Sequence, residues 1–445
     1  MHYIFGGGLV KRILAIILSC FLLTGCEAFT FSVEELLTAP SISDDQAAIK
    51  QALYDNIGHS VTLAYPQSGE YRSAFVIADL DGDENDEALV FYTSSSATAS
   101  GTGENVRVAV FDKDDGGDWH AMYEVAGGGS SVDTVIVTDY GDVTDIVIGY
   151  GTSVHDESIV SIYRYENGVL RSTYDGWYTT MISADIDLCG KDEIVLFKKS
   201  GTEVSVGVIK SSDGLSYVTS ERMLTTSVSA ISNYVCGTLC GETGALFIDI
   251  TDEDGYLLTE VVYLDGDNLT CLSSTDSELL RGTERTGGYL SMDYDGDGVI
   301  EIPTLGLFSG YSAGSGAEYM VNWLSYGEEE AAFIEEASTY YSLSDSYIFK
   351  LPSRWTNFVS VTRDSDTGEI TFVEYDRTAD SLSDMTKLLS IISVSVRNVQ
   401  QYLDDGYSIA VETESTAYLY KKLAGEDEPL LLTSDEISDN LYLIG

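Results

Sequence analysis

A short acidic motif recurs five times along the chain and constrains its fold more than any other feature. Two copies are complete: Asp79-Leu-Asp-Gly-Asp-Glu-Asn-Asp-Glu87 and Asp293-Tyr-Asp-Gly-Asp-Gly-Val-Ile-Glu301. Three eroded copies lie between them, and the five first positions are 79, 139, 185, 236 and 293. The intervals of 60, 46, 51 and 57 residues indicate one structural unit repeated about every 50 residues.

Each copy of the motif lies between apolar runs, and further apolar runs follow it around a polar turn. Asn167-Gly168 and Asp213-Gly214 are two of these turns, which are typical of β-hairpins because they need positive φ. Each unit therefore predicts four strands, the size of a propeller blade, and the units must stack because one blade cannot bury both faces. The sequence predicts a mainly β protein with a β-propeller of five visible blades and up to seven. A pair of β-sandwiches and a solenoid are the alternatives.

The two ends of the chain differ from the repeats. Residues 26–60 are predicted to contain helices at 33–57, because Ser43-Asp-Asp-Gln46 is a capping signal followed by good helix formers. The propeller is assigned to residues 61–338. Apolar runs at 359–362, 369–375, 388–396 and 417–420, with a helix at 399–404, predict a small C-terminal α+β domain over residues 339–445 with an antiparallel sheet.

The complete motif, Asp-x-Asp-Gly-Asp with an acid at the ninth position, resembles the FG-GAP/VCBS-like repeats of integrin-α-type propellers and of many bacterial surface proteins. The resemblance covers residues 61 to about 335. It implies that a bound cation fixes the hairpin between two strands of a blade and takes no part in chemistry.

Oxygen atoms at positions 1, 3, 5, 7 and 9 of the motif can surround one cation. The predicted ligands are Asp79, Asp81, Asp83, the backbone carbonyl of Asn85, and Glu87 in loop one (residues 79–87), and Asp293, Asp295, Asp297, the carbonyl of Val299, and Glu301 in loop five (residues 293–301). An oxygen-only set at flexible distances suits Ca²⁺ better than Mg²⁺ or Zn²⁺. A solvated acidic turn is the alternative.

Loop three (residues 185–193) is an incomplete version of the same site. It keeps Asp185, Asp187 and Glu193 but has Cys189 at position 5. Loop two (residues 139–145) and loop four (residues 236–244) lack most of the ligands and are expected to be structural turns. Cys189 and Cys240 occupy matching repeat positions and are expected to be small buried hydrophobes, while Cys236 and Cys240 could pair only if the chain turns back.

The N-terminus indicates where the protein works. Lys11-Arg12 precedes the apolar run at 13–23, which is too short to span a bilayer but suits the core of a signal peptide. The run ends in Leu23-Thr24-Gly25-Cys26, which resembles the lipobox of bacterial lipoproteins. The resemblance implies a signal peptide at 1–25 and acylation of Cys26, for example by palmitate, which would hold the protein on the extracytoplasmic face of a membrane.

The charge and the motifs of the chain limit the classes of function that it can have. The chain has 73 Asp and Glu against 23 Lys and Arg, a net charge of −50, so nucleic-acid phosphate would repel it. No zinc-protease or phosphate-loop motif occurs, and His59, His120 and His155 stand in no motif. The sequence therefore predicts a non-enzymatic module that binds a protein, a peptide or a glycan. An extracytoplasmic hydrolase or lyase acting on polysaccharide, and a structural partner of an envelope complex, are the alternatives.

Overall fold

The computed structural model describes residues 43–94, 105–139, 144–153, 157–212, 216–274, 276–314 and 316–444. Cys26, the signal peptide and the first part of the predicted helical segment lie outside the described residues. The described residues form two compact units: 43–59 with Lys113–Ala121, and 60–112 with 122–444.

In the first unit, helix α1 spans Asp44–Ile57 and confirms the capping signal. The hydroxyl of Ser43 accepts a hydrogen bond from the Gln46 N–H, and the Gln46 side chain accepts one from the Ser43 N–H in return. Ile49 and Leu53 are fully buried. No helix in the described ranges is both long and apolar enough to cross a membrane.

The strands form antiparallel sheets that follow one another along the chain, and we number them one to six. Sheet one contains β1 Val61–Leu63, β2 Phe75–Ala78, β3 Glu87–Ser94, β4 Arg107–Lys113 and β5 Trp119–Ala126. Sheet two contains β6 Ser131–Asp139, β7 Thr144–Gly151, β8 Ser158–Glu166 and β9 Val169–Tyr178. Sheet three contains β10 Thr180–Ala184, β11 Glu193–Ser200, β12 Glu203–Ser212 and β13 Ser216–Met223.

The remaining sheets and helices complete the larger unit. Sheet four contains β14 Ala230–Cys240, β15 Thr243–Thr251, β16 Leu257–Asp265 and β17 Asn268–Cys271. Sheet five contains β18 Ile302–Leu307, β19 Tyr319–Gly327, β20 Ala332–Ser342, β21 Tyr347–Lys350 and β27 Leu441–Leu443. Sheet six contains β22 Val359–Arg363, β23 Ile370–Glu374, β24 Lys387–Ser395, β25 Ser408–Glu412 and β26 Thr416–Lys422. Helices α2 (Ser277–Arg281), α3 (Val399–Asp404) and α4 (Ser434–Asp439) are short.

Consecutive sheets pack against each other through buried apolar cores. In β7, Ile146 and Ile148 point into a core shared with sheet one, whereas Val147 belongs to the core shared with sheet three. In β11, Ile194 packs towards sheet two and Val195 towards sheet four. Neighbouring residues of a strand point to opposite faces of its sheet, so these cores lie on both faces of sheets two and three. Burial of both faces explains why the strands have nearly continuous apolar sequences.

The mainly β prediction and the four-stranded repeat unit are confirmed. Asn167 and Gly168 have φ of 53° and 76° and join β8 to β9 with no other residue between the strands. This is the two-residue hairpin that the sequence predicts. The predicted helix at 399–404 is also confirmed.

The predicted boundary between residues 338 and 339 does not match the structure. It falls inside β20, and the C-terminal strand β27 pairs with β21, so that Phe349 lies opposite Leu441. Residues 339–350 and 441–443 therefore complete sheet five, and sheet six packs on sheet five through one apolar core. The boundary was missed because sheet six carries no acidic motif and its strands are joined by unrelated turns.

Candidate metal centres in the acidic loops

Loops one, three and five share one backbone conformation, which the aspartate at position 1 stabilises. Asp79 accepts hydrogen bonds from the N–H groups of Gly82 (2.7 Å) and Glu84 (3.0 Å). Asp293 accepts from Gly296, Asp297 and Gly298 at 2.7–3.1 Å. Asp185 accepts from Cys189 (2.9 Å) and Gly190 (2.8 Å). Such side-chain to backbone bonds are the usual way in which aspartate stabilises a turn.

Position 4 of each loop has positive φ, which favours glycine. Gly82 and Gly296 have φ of 81° and 82°, and Leu188 takes the same region at 56° in loop three. A non-glycine residue there is strained, so the surrounding bonds must hold loop three in this shape.

The glutamate at position 9 is buried in all three loops. The exposed fractions of Glu87, Glu193 and Glu301 are 0, 2 and 0%. In each case Oε2 accepts a hydrogen bond from the N–H at position 2, namely from Leu80 (2.7 Å), Ile186 (3.0 Å) and Tyr294 (3.2 Å). Burial raises the pKa of Glu87 and Glu193 to about 7 and that of Glu301 to about 8. Neighbouring carboxylates of the same loops raise these pKa values further.

Loops one and five each leave buried oxygens without a partner. Oε1 of Glu87, Oε1 of Glu301 and Oδ1 of Asp295 are buried and accept no hydrogen bond. Buried polar atoms are normally paired, so an unpaired carboxylate oxygen facing other acids needs an explanation. An oxygen-only set with unpaired buried oxygens fits a hard divalent cation.

The structure brings part of each predicted ligand set together. In loop one, carboxylate oxygens of Asp79, Asp81 and Glu87 lie within 4.8 Å of one another. In loop five, the same holds for Asp293, Asp295 and Asp297.

Two position-5 aspartates are also engaged within their loops. Asp83 accepts from the Asn85 N–H and Asp297 from the Val299 N–H, both at 2.8 Å. The carbonyl ligands at Asn85 and Val299, like the complete sets, stay predictions.

Loop three gathers Asp185, Asp187 and Cys189 in the same way but also contains a cation of its own. Lys210 forms an ion pair with Asp187, and its Nζ lies 4.0 Å from Oε1 of Glu193. The sequence did not indicate this lysine, because it lies on β12, the strand after the one that loop three precedes.

The pairing and burial of the described cysteines depend on the loop or strand in which each one lies. Cys189, Cys236, Cys240 and Cys271 are free thiols. Cys189 is exposed in its acidic loop, so the expectation that it is a buried hydrophobe is wrong. Cys236 and Cys240 lie on the single strand β14, which runs without turning back between them.

A cavity of about 660 Å³ lies outside the metal-ligand sets, and the sequence alone does not reveal it. We call it the first-strand cavity, because its walls are residues 68–71, the first strands of sheets two, three and four, and the end of loop three. Tyr71 and Tyr234 supply its aromatic surface, and the Tyr234 side chain is 43% exposed. Glu70, Lys191 and Asp192 supply its charges, and all three are exposed.

The raised pKa values predict how the stability of the metal-free protein depends on pH. The ordinary glutamate pKa is 4.5, so between pH 5 and 8 the native state binds more protons at Glu87 and Glu301 than the unfolded state. Stability should therefore fall as pH rises through this window. Urea unfolding in chelator at pH 5.5 and pH 8 measures the free energy of unfolding at the two ends of this window. The Glu301→Gln variant should show a smaller difference between the two values than the wild type. Stability that is independent of pH, or a variant that behaves like the wild type, would contradict the assignment.

No protein-family model matches the chain, and no curated protein matches it. Among solved structures, it is similar to the crystal structure of the exotype rhamnogalacturonan lyase YesX, with a TM-score of 0.24 and 13% sequence identity. That match covers 84% of this chain and 64% of the other. A TM-score this low carries no argument about fold or activity.

Proposed function

We propose that the protein is a non-catalytic binding module whose ligand site is the first-strand cavity of a calcium-stabilised β-propeller. The observation that carries this proposal is the cavity itself. Its volume of about 660 Å³ is within the range of small-molecule sites, roughly 300–1,000 Å³, and so fits a short oligosaccharide or peptide rather than a folded protein.

The succession of sheets supports the propeller. Three described cores join sheets one and two, two and three, and three and four, which are neighbours along the chain, and the first strands of three consecutive sheets line one cavity. In a propeller the first strands of the blades surround the central axis, so a shared cavity at these strands is what that architecture requires. A pair of sandwiches would not bring three first strands to one cavity.

The chemistry of the cavity favours binding over hydrolysis. Among the described residues that line it there is no histidine, and its carboxylates, Glu70 and Asp192, are exposed. A general acid needs a raised pKa, which burial usually provides. The glutamates with strongly raised pKa, Glu87, Glu193 and Glu301, lie in the acidic loops and are not among the residues that line the cavity.

The binding proposal is tested with the soluble mature chain in Ca²⁺ on an oligosaccharide array, followed by titration of the best ligand. Tyr234→Ala should weaken binding about tenfold, because a stacked aromatic ring contributes roughly 1.4 kcal/mol. Tyr256→Ala is the matched control, since Tyr256 is 42% exposed and does not line the cavity. Equal effects of the two variants would contradict the site, and release of cleaved sugar would favour the lyase or hydrolase alternative.

We also propose that acylated Cys26 anchors this module on the extracytoplasmic face of a membrane. The charge pair, apolar run and lipobox-like residues at 11–26 support this location. Labelled palmitate should enter the full chain and not the Cys26→Ala variant, and equal labelling of both would refute the anchor.

A further inference from the structure

One position on the neighbouring strand lies opposite the buried carboxylate of each acidic loop. Loop two is two residues shorter than loop one, and its Asp145 lies opposite Thr138 as Glu87 lies opposite Ala78. Asp145 of β7 pairs directly with Arg164 of β8. In sheet three, Ile194 pairs with Ile209, so the next pair of the antiparallel ladder joins Glu193 and Lys210. We call this the facing position.

Loops one and five have no cation at the facing position. In sheet one, Ala88 pairs with Phe111, which places Asp112 opposite Glu87. In sheet five, Ile302 pairs with Leu324, which places Ser325 opposite Glu301. In sheet four, position 9 is Gly244, so no buried carboxylate needs a cation there.

Where the facing residue is basic, it brings a positive charge to the buried acid or to the carboxylates beside it. Nε and Nη2 of Arg164 donate to Oδ1 of Asp145 at 3.0 and 2.7 Å, and both side chains are less than a tenth exposed. Oδ2 of Asp145 has no partner, but the charge of the carboxylate is balanced. Lys210 is paired with Asp187 and lies near Glu193, so it stands among the carboxylates of loop three.

Where the facing residue is not basic, the unpaired buried oxygens remain. Oε1 of Glu87 and Oε1 of Glu301 have no partner, and Oδ1 of Asp295 has none. Lys350 approaches loop five, but its Nζ lies 3.4 Å from the other oxygen of Asp295, Oδ2, and so leaves these atoms unpaired. Asp145 of loop two also has an unpaired oxygen, but Arg164 pairs with its carboxylate, so loops one and five are the loops whose buried glutamates face no cation, and they are also the two with complete ligand motifs.

We propose that the facing position decides the source of the cation beside each buried acid: Arg164 and Lys210 are built-in cations that serve Asp145 and loop three without metal, whereas Asp112 and Ser325 leave loops one and five to a divalent ion. This inference rests on the proposed metal binding of loops one and five. A buried carboxylate that stays ionised needs an opposite charge or a metal ion beside it, and the facing residue either supplies that charge or does not.

The test counts Ca²⁺ bound to the soluble mature chain by equilibrium dialysis, together with thermal melts in Ca²⁺ and in chelator. The wild type should bind two Ca²⁺. Ser325→Lys should bind one, and its melting temperature in chelator should equal or exceed that of the wild type, because the new ammonium group reaches Glu301 as Lys210 reaches Glu193. Ser325→Gln is the matched control: it also removes the hydrogen bond from Ser325 to Glu336 but brings no charge, so it should keep two Ca²⁺.

The reverse change tests loop three. Lys210→Ser should lower the melting temperature in chelator. Addition of Ca²⁺ should raise the melting temperature of this variant by more than it raises that of the wild type. Lys198→Ser, which removes an ion pair with Glu221 on the same sheet, should show no extra response to Ca²⁺.

The outcomes separate this inference from the proposal beneath it. The role of the facing position alone would be overturned if the wild type and Ser325→Lys both bind two Ca²⁺. It would also be overturned if Ser325→Lys and Ser325→Gln lose the same amount of bound Ca²⁺. A wild type that binds no Ca²⁺ would overturn the metal sites as well.

Discussion

Removal of Ca²⁺ from the mature protein is expected to lower its melting temperature by about 6 °C. A ligand at a hundredfold excess over its Kd stabilises the native state by about 2.7 kcal/mol per site, so loops one and five together contribute about 5 kcal/mol. The unfolding entropy is about 2.1 cal/mol/K per residue over roughly 400 residues. Dividing the free energy of about 5 kcal/mol by this entropy gives a shift in melting temperature of about 6 °C. Calorimetry in Ca²⁺ and in chelator measures it.

The double variant Asp81→Ala with Asp295→Ala should lose the response to Ca²⁺. In chelator it should melt at or above the wild type, because each change removes one of several clustered negative charges. Asp364→Ala is a suitable control, since Asp364 also accepts turn N–H groups but belongs to no acidic loop, so its full response to Ca²⁺ should remain. An unchanged melting temperature of the wild type on chelation would refute both metal sites.

Arg285→Ala should destabilise the protein by about 3–5 kcal/mol, the usual cost of leaving a buried charge without its partner. The side chains of Arg285 and Asp249 are both 0% exposed and are joined at 2.7 Å. Arg285 also donates to the carbonyls of Thr283 (2.9 Å) and Tyr289 (2.7 Å). It therefore ties the segment before loop five to β15. Urea unfolding measures the loss.

Arg281→Ala is the matched control for this prediction. Arg281 lies four residues earlier and its ion pair with Glu278 is about three-quarters exposed, so its removal should cost less than about 0.5 kcal/mol. Similar losses in the two variants would mean that the buried pair contributes no more than a surface contact.

The repeat unit could be predicted because its signals are local. The acidic motif, the flanking apolar runs and turns such as Asn167-Gly168 all lie within a few residues of one another, and the strands form where these signals place them. Sheet six was missed as part of the series because it has hairpins but no acidic loop. Four of its five strands were predicted and β25 was not, and its packing on sheet five depends on a core whose residues are spread from Phe308 to Leu441.

The facing position could not be found from spacing. Lys210 follows Glu193 by 17 residues, Arg164 follows Asp145 by 19, and Asp112 follows Glu87 by 25, because the intervening strands and turn differ in length. Only the register of the ladders shows that these pairs are equivalent. The first-strand cavity escaped prediction for the same reason, since its walls come from segments as far apart as Ser68 and Tyr234.

The pairing of β27 with β21 has a consequence for biosynthesis. The outer edge of β21 in sheet five has no partner strand until residues 441–443 have been made. Strands β18 to β21 are complete about 90 residues earlier. A chain that is still being translated, or one shortened at its C-terminus, exposes the edge of β21 to other strands. The edge of β21 is therefore covered only after the whole of sheet six has been made.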